Sequence, residues 1–220
     1  MAGVSIAVLQ SLPIFASMPQ ARMEALGRLA SLKQVPRGGV VMREGEHTSA
    51  IYFILNGSLK VLVSDTDGRE VILTILGRGE MFGEMGVIDD SPRSATVIAT
   101  QPCDLVVVSK ADFQQVLSDN FDISLNIMRG LSKRLRLADR KIETLALHDV
   151  YGRVARLLLD LSEQSGDARV IHRRITKQDI AKMIGASREM VSRVMKDLQQ
   201  QGLIEEVDDG SIVLHESLES

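Results

Sequence analysis

Residues 82–97 read FGEMGVIDDSPRSATV. Gly83 and Gly86 flank the carboxylate of Glu84, an acidic, proline-containing turn follows, and Arg93 and Ser94 lead into an alternating apolar run. Glycine lets backbone amides approach a ligand closely, arginine offers a fixed fork of N–H donors suited to phosphate, and an ionised glutamate can only accept. The set suits a sugar carrying an anionic phosphate. A second group of chemically able residues lies at Arg188, Glu189 and Arg193, spaced i, i+1 and i+5. On one helix in a major groove they reach neighbouring base pairs, arginine reading guanine O6/N7 and glutamate accepting from cytosine N4.

Local charge supports the second group. Residues 169–196 hold eight Lys or Arg (169, 173, 174, 177, 182, 188, 193, 196) against two acids, a balance of +6, whereas 197–220 hold seven acids and no Lys or Arg. A lone acid among cations at a helix start repels phosphate, so Glu189 makes sense as a base reader.

The elements that position these residues are legible in the pattern. KQDIAKMIGASREMVSRVMK (177–196) fits a helix-turn-helix: Ala181 is small where two helices cross, Gly185 sits where the turn needs positive φ, and Ser187 can cap the second helix. Ile180, Ile184, Val191 and Val194 supply the apolar contact between the helices. QQGLIEEVDDGSIVL beyond it reads as a β-hairpin wing. From about residue 35 to 110, short β-rich runs alternate with glycine-bearing turns, DTDG at 65–68 among them, which predicts an antiparallel sandwich or barrel. PQARMEALGRLASL ahead of it reads as an amphipathic helix. After Lys110 the period changes. Met128, Leu131, Leu135, Ala138, Ile142 and Leu145 are 3, 4, 3, 4 and 3 residues apart, an a/d seam on one long helix that predicts a parallel homodimer. LALHDVYGRV interrupts the seam, and Asp149 is placed to N-cap a new helix running through ARLLLDLSEQ, after which SGDAR is a turn or hairpin and RVIHRRIT a short strand.

Composition bounds the remainder. With 220 residues, 45% of them hydrophobic, the chain can bury a proper core. A net charge of −3 argues against a diffuse polybasic binder. The single cysteine, Cys103, excludes a disulfide framework and any cysteine-rich zinc or iron–sulfur site and fits a reducing cytoplasm. The four histidines show no ligand spacing, so no metal is expected. The short apolar run in MAGVSIAVLQSLPIF has no positive segment before it, and no stretch approaches a membrane span, so a soluble, unexported protein is expected.

A β-rich domain with the glycine motif, then a seam helix, then a winged helix-turn-helix, resembles the CRP/FNR family of bacterial transcription regulators over nearly the whole chain, and most closely its cyclic AMP receptor protein branch. FGEMG with RSATV, the hinge LHDVYGR, and ITKQDIAKMIGASREMVSR carry the resemblance. It implies an α+β fold: a jelly-roll or β-barrel cyclic-nucleotide-binding domain over 1–120, a dimerisation helix and hinge over 121–147, and a winged helix-turn-helix over 148–220. It further implies that Arg93 and Ser94 hold the cyclic phosphate, Glu84 the ribose 2′-hydroxyl, and the amides around Gly83 and Met85 the rest of the cradle. Arg134, Ala138 and Asp139 of the long helix join this ligand set. Thr176, Lys177, Gln178, Ser187, Arg188, Glu189 and Arg193 are implied DNA contacts, on palindromic half-sites like TGTGA. Cytoplasmic localisation, double-stranded DNA and RNA polymerase as partners, and no membrane, follow from the same resemblance.

Two departures stand out. Where cyclic AMP-responsive members place two adjacent hydroxyls against adenine, this chain has Ala138 and Asp139. A carboxylate matches the adjacent N–H donors of guanine better, which brings in cyclic di-GMP or cyclic GMP beside cyclic AMP. The segment between the Asp149 helix and the helix-turn-helix is also shorter than in the cyclic AMP receptor protein, where it includes a loop that touches RNA polymerase. Two rival readings are a DNA-binding regulator that ignores ligand, with a vestigial motif, and an enzyme acting on cyclic nucleotides with Glu84 as base. The second has no histidine or metal cluster near Glu84 and no use for SREMVSR.

Overall fold

The computed structural model describes residues 3–166, 168–172, 175–207 and 210–215. Arg173 and Arg174 of the basic run, Asp167 of the SGDAR turn and Asp208 and Asp209 of the wing lie outside the described residues. The chain divides into two compact units, 1–133 and 134–220.

The first unit opens with α1 (Ile6–Gln10), a 3-10 turn (Pro13–Phe15) and α2 (Gln20–Leu29). Leu9, Leu12 and Phe15 are fully buried, so the apolar run near the N-terminus is core. Next come β1 (Ser31–Val35), β2 (Val40–Met42), β3 (Ala50–Asn56), β4 (Leu59–Ser64), β5 (Glu70–Leu76), β6 (Met81–Phe82), α3 (Met85–Ile88), β7 (Thr96–Ala99), β8 (Cys103–Ser109) and α4 (Lys110–Asp119). Two antiparallel four-stranded sheets form, ordered β1-β8-β3-β6 and β2-β7-β4-β5. The jelly-roll expectation holds, as an open two-sheet sandwich whose ladders do not close into a barrel. The helix predicted over 19–32 ends at Leu29, and the sheet begins at Ser31. Leu32 pairs with Val106 of β8, so long-range pairing overrides local periodicity.

β3 explains why a strand can read as an unbroken apolar run. Its Ile51 and Phe53 face a helical layer with Phe15, Met23, Leu26 and Phe113, while Tyr52 and Ile54 face the other sheet with Leu59, Leu76 and Val97. A strand covered on both faces cannot alternate in polarity. Phe53 packs between Phe15 and Phe113, ring centroids 5.0 and 5.8 Å away, edges tilted toward faces as aromatic quadrupoles prefer. The β4–β5 turn closes as predicted: Gly68 takes φ +77°, and Asp65 Oδ1 accepts from the amides of Asp67 and Arg69 at 3.0 and 2.9 Å.

α5 runs from Phe121 to Leu147. Ile123 and Ile127 are buried in the first unit's core, whereas Met128, Leu135, Ile142 and Leu145 of the seam are exposed, Leu135 and Ile142 to 64% and 66%. Gly130 stands in this helix with nothing near the place a Cβ would take.

The second unit continues with α6 (Val150–Leu161), β9 (Glu163–Ser165), β10 (Ala168–Ile171), α7 (Lys177–Ile184), α8 (Arg188–Gln200), β11 (Ile204–Glu206) and β12 (Ile212–Leu214). Asp149 caps α6, its Oδ1 accepting from Gly152 N at 2.9 Å. α6 stops at Leu161, short of the predicted end, because Glu163–Ser165 pairs with β10 as a hairpin. That hairpin and the predicted wing hairpin share one sheet, β11-β12-β10-β9. Val154, Leu157 and Leu158 of α6 pack with Ile180, Ala181 and Ile184 of α7, with Val191, Met195 and Leu198 of α8, and with Ile204, Ile212 and Leu214 of the sheet.

Candidate nucleotide site and DNA interface

The glycine motif begins where β6 ends. Phe82 stacks on Tyr52 at 5.0 Å with planes 11° apart, which anchors the turn. Gly83 then takes φ +80°, and a Cβ there would stand 2.6 Å from Nη1 of Arg93, so glycine is required for backbone and for packing alike. Gly86 has ordinary backbone angles but is needed as well, since a Cβ would collide with Thr48 Oγ1 and Ser91 O. Glu84 precedes the short helix α3 and is 2% exposed; Arg93 is 5% exposed. The Arg93 guanidinium donates to Gly83 O at 2.9 Å and Ala50 O at 2.6 Å and lies 5.7 Å from the Tyr52 ring centre. Its backbone is held too: Arg93 N donates to Glu46 O and Gly45 N to Arg93 O, both at 2.8 Å. Burial lowers the Arg93 pKa, and the neighbouring Tyr52, Glu46 and Glu84 oppose the shift. Ser94 is exposed, its hydroxyl directed at Met85 Sδ, 3.7 Å away.

The structure therefore gathers Gly83, Glu84, Met85, Arg93 and Ser94 at one turn of the first unit. Thr48, Tyr52 and the carbonyl of Ala50 belong to the same site and were not foreseen. They lie some forty residues away in sequence, and only strand pairing brings them in. Arg134, Ala138 and Asp139 lie on α5 in the second unit, the first half-buried and the other two exposed. Among the described residues no three His, Cys, Asp or Glu side chains cluster as a metal site, and no helix is long and apolar enough to cross a membrane.

In the second unit the helix-turn-helix is built by its caps. Thr176 Oγ1 accepts from Asp179 N at 3.0 Å and donates to Asp179 Oδ2 at 2.7 Å, which starts α7. Gly185 ends it in the left-handed region at φ +66°, and Arg153 Nη1 donates to Ile184 O at 3.1 Å. Ser187 Oγ accepts from Met190 N at 3.2 Å and starts α8. Ala181 is 2% exposed at the crossing. With Val191, Met195 and Leu198 turned inward, Arg188, Glu189 and Arg193 project into solvent. Amide and hydroxyl hydrogen bonds, the latter from Ser187, and the charge of Arg188 hold the Glu189 carboxyl below the usual carboxylate range, keeping it an acceptor. Gln178 is exposed, and Lys177 is half-buried with Nζ 3.4 Å from Glu206 Oε1 of β11.

Both halves of the chain match known families. Residues 32–120 match the family described as the cyclic nucleotide-binding domain, and 152–217 match the Crp-like helix-turn-helix domain. The chain is 37% identical over 177 residues to the cAMP-activated global transcriptional regulator CRP of Pasteurella multocida, covering 79% of this chain and 85% of that one. To the cAMP-activated global transcriptional regulator Vfr of Pseudomonas aeruginosa it is 38% identical over 172 residues, 74% and 80% of the two chains. The structure of the c-di-GMP responsive global regulator CLP of Xanthomonas campestris superposes with a TM-score of 0.71 at 32% identity, over 85% of this chain and 94% of that one.

Proposed function

Since the chain belongs to the CRP family of DNA-binding transcription regulators, we propose that it binds a palindromic operator as a homodimer under the control of a cyclic nucleotide held at the Gly83–Ser94 turn. One observation carries the ligand: two charged side chains, Glu84 and Arg93, are buried at a turn whose glycines let Arg93 and Thr48 pack directly on the backbone. Arginine is a donor fork and glutamate an acceptor, and an anionic ligand that also offers a sugar hydroxyl is chemically matched to this pair. Arg93 and Ser94 would take the phosphate, Glu84 the ribose, the amides around Gly83 and Met85 the remaining phosphate oxygens, and Arg134, Ala138 and Asp139 the base. Relatives named for cAMP and for c-di-GMP leave two nucleotide classes in play. Asp139, an acceptor, favours the guanine class over cyclic AMP.

Dimerisation is supported by the exposed seam on α5, and operator binding by the outward Arg188, Glu189 and Arg193, with Thr176, Lys177, Gln178 and Ser187 on phosphates. RNA polymerase is included as a partner on the family alone. A second reading keeps DNA binding without ligand: Arg93 would serve as a staple, its donors committed to Gly83 O and Ala50 O. Titration with cyclic AMP, cyclic GMP and cyclic di-GMP, following affinity for a duplex that the protein selects from a random library, separates the two. A shift of about tenfold or more with one nucleotide, in the range of ordinary allosteric coupling, supports the first reading. Tight, sequence-selective binding that no nucleotide alters supports the second.

A further inference from the structure

We propose that Met190 reads the C5-methyl group of a thymine in the operator half-site and so sets part of the sequence specificity. The inference rests on α8 being the helix that enters the groove. The apolar residues of α8 are otherwise spent on the core: Val191, Met195 and Leu198 are 0, 1 and 0% exposed, and Val194 packs against the same cluster. Met190 is the exception. It is 43% exposed, the one large apolar side chain of α8 left in solvent among the described residues.

Its position makes the exception informative. At about 100° per residue, Met190 lies about 60° round the helix from Arg193 and about 100° from Glu189, on the same outward half. The Ser187 cap bonds the amide of Met190 itself, so the first turn holds this side chain at a fixed height beside the base readers. The other exposed side chains of α8, including Arg188, Glu189, Arg193, Lys196 and Asp197, are charged or polar and suit phosphates or hydrogen-bonding base edges. Met190 offers no donor and suits neither. In a major groove the apolar feature that distinguishes one base pair from another is the thymine methyl. A thioether on three rotatable bonds can settle over that methyl and exclude water from it.

The test begins with the full-length protein selecting its own duplex from a random library, with and without each cyclic nucleotide. No enriched sequence would overturn the DNA reading and this inference with it. On the enriched duplex, each thymine is then replaced singly by deoxyuridine, which removes only the methyl. Wild type should lose about fourfold in affinity at one symmetry-related thymine per half-site, the factor expected for uncovering one methyl-sized group. Met190→Ala should bind the unmodified duplex about as weakly as wild type binds the substituted one, with no further loss at that thymine. Met190→Leu should keep the sensitivity. Indifference of wild type to every substitution, or undiminished sensitivity in Met190→Ala, would overturn the assignment while leaving DNA binding itself intact.

Discussion

Arg93 is where structure and ligand chemistry compete for one side chain. Its bonds to Gly83 O and Ala50 O mean that Arg93→Ala leaves two carbonyls without this donor as well as removing the proposed phosphate fork. A stability loss of about 1–3 kcal/mol is expected, which a thermal melt reads, together with loss of any nucleotide-dependent change in DNA binding. A folded Arg93→Ala that still responded to nucleotide would show the motif to be vestigial. At the DNA interface, Arg188→Ala or Arg193→Ala should cost about 1–3 kcal/mol at one base pair and relax preference there, whereas Lys177→Ala should weaken all sequences alike and lower the salt dependence. Competition binding against single-substituted duplexes distinguishes them. Intact sequence preference in Arg188→Ala would remove it from the base readers. Residue types alone disclosed these candidates, since phosphate and base edges accept few side chains. They could not disclose that Thr48 and Tyr52 complete the turn, because a partner forty residues distant leaves no local trace.

At the scale of elements, the caps were the most legible features. Asp149 and Ser187 each bond an amide three residues on, and Gly185 answers a local backbone demand, so neighbouring sequence decides them; the Thr176 cap is equally local but was not foreseen. Strand partners were less so: Ser31 and Leu32, the first two residues of β1, read as the end of a helix because the pairing with β8 lies about seventy residues on. α5 combines both cases. Its 3-4 spacing predicts the seam, and in the structure Met128, Leu135, Ile142 and Leu145 of that seam are exposed, while Leu131 packs on the first unit's core beside the buried Ile123 and Ile127. Leu135→Glu should therefore leave the β sandwich folded by circular dichroism, yet yield a monomer in sedimentation and abolish tight operator binding, since a single half-site loses the second module's effective concentration. A wild-type monomer at micromolar concentration that bound operator tightly would contradict this.

For the whole molecule, the control proposed here requires a ligand that binds one arrangement of the chain more tightly than another, because equal affinity shifts nothing. The base-reading end of that ligand is assigned to Ala138 and Asp139, and Asp139→Thr tests it without touching the phosphate turn. Response to guanine nucleotides should fall and response to cyclic AMP rise; an unmoved preference would make Asp139 a solvated charge. The order of a β sandwich, a long helix and a winged helix-turn-helix was legible from changes of period along the chain. Which nucleotide suits the domain was not, because Asp139, the departure that bears on it, is an exposed acceptor that residue type alone matches to more than one partner.

The charges of the second unit bear on speed as much as on affinity. The acidic wing strand touches the basic motif, with Glu206 against Lys177, so opposite signs adjoin on one small body. A polyanion drifting in meets attraction at α8 and repulsion at β11, and over a screening length of ~10 Å at 0.1 M salt the two oppose each other. Productive collisions are thereby sorted by orientation before any base is touched. The association rate measured by stopped flow should fall less steeply with salt than for a uniformly basic helix-turn-helix, and Glu205→Gln with Glu206→Gln should raise it at low salt, most of all on DNA of arbitrary sequence.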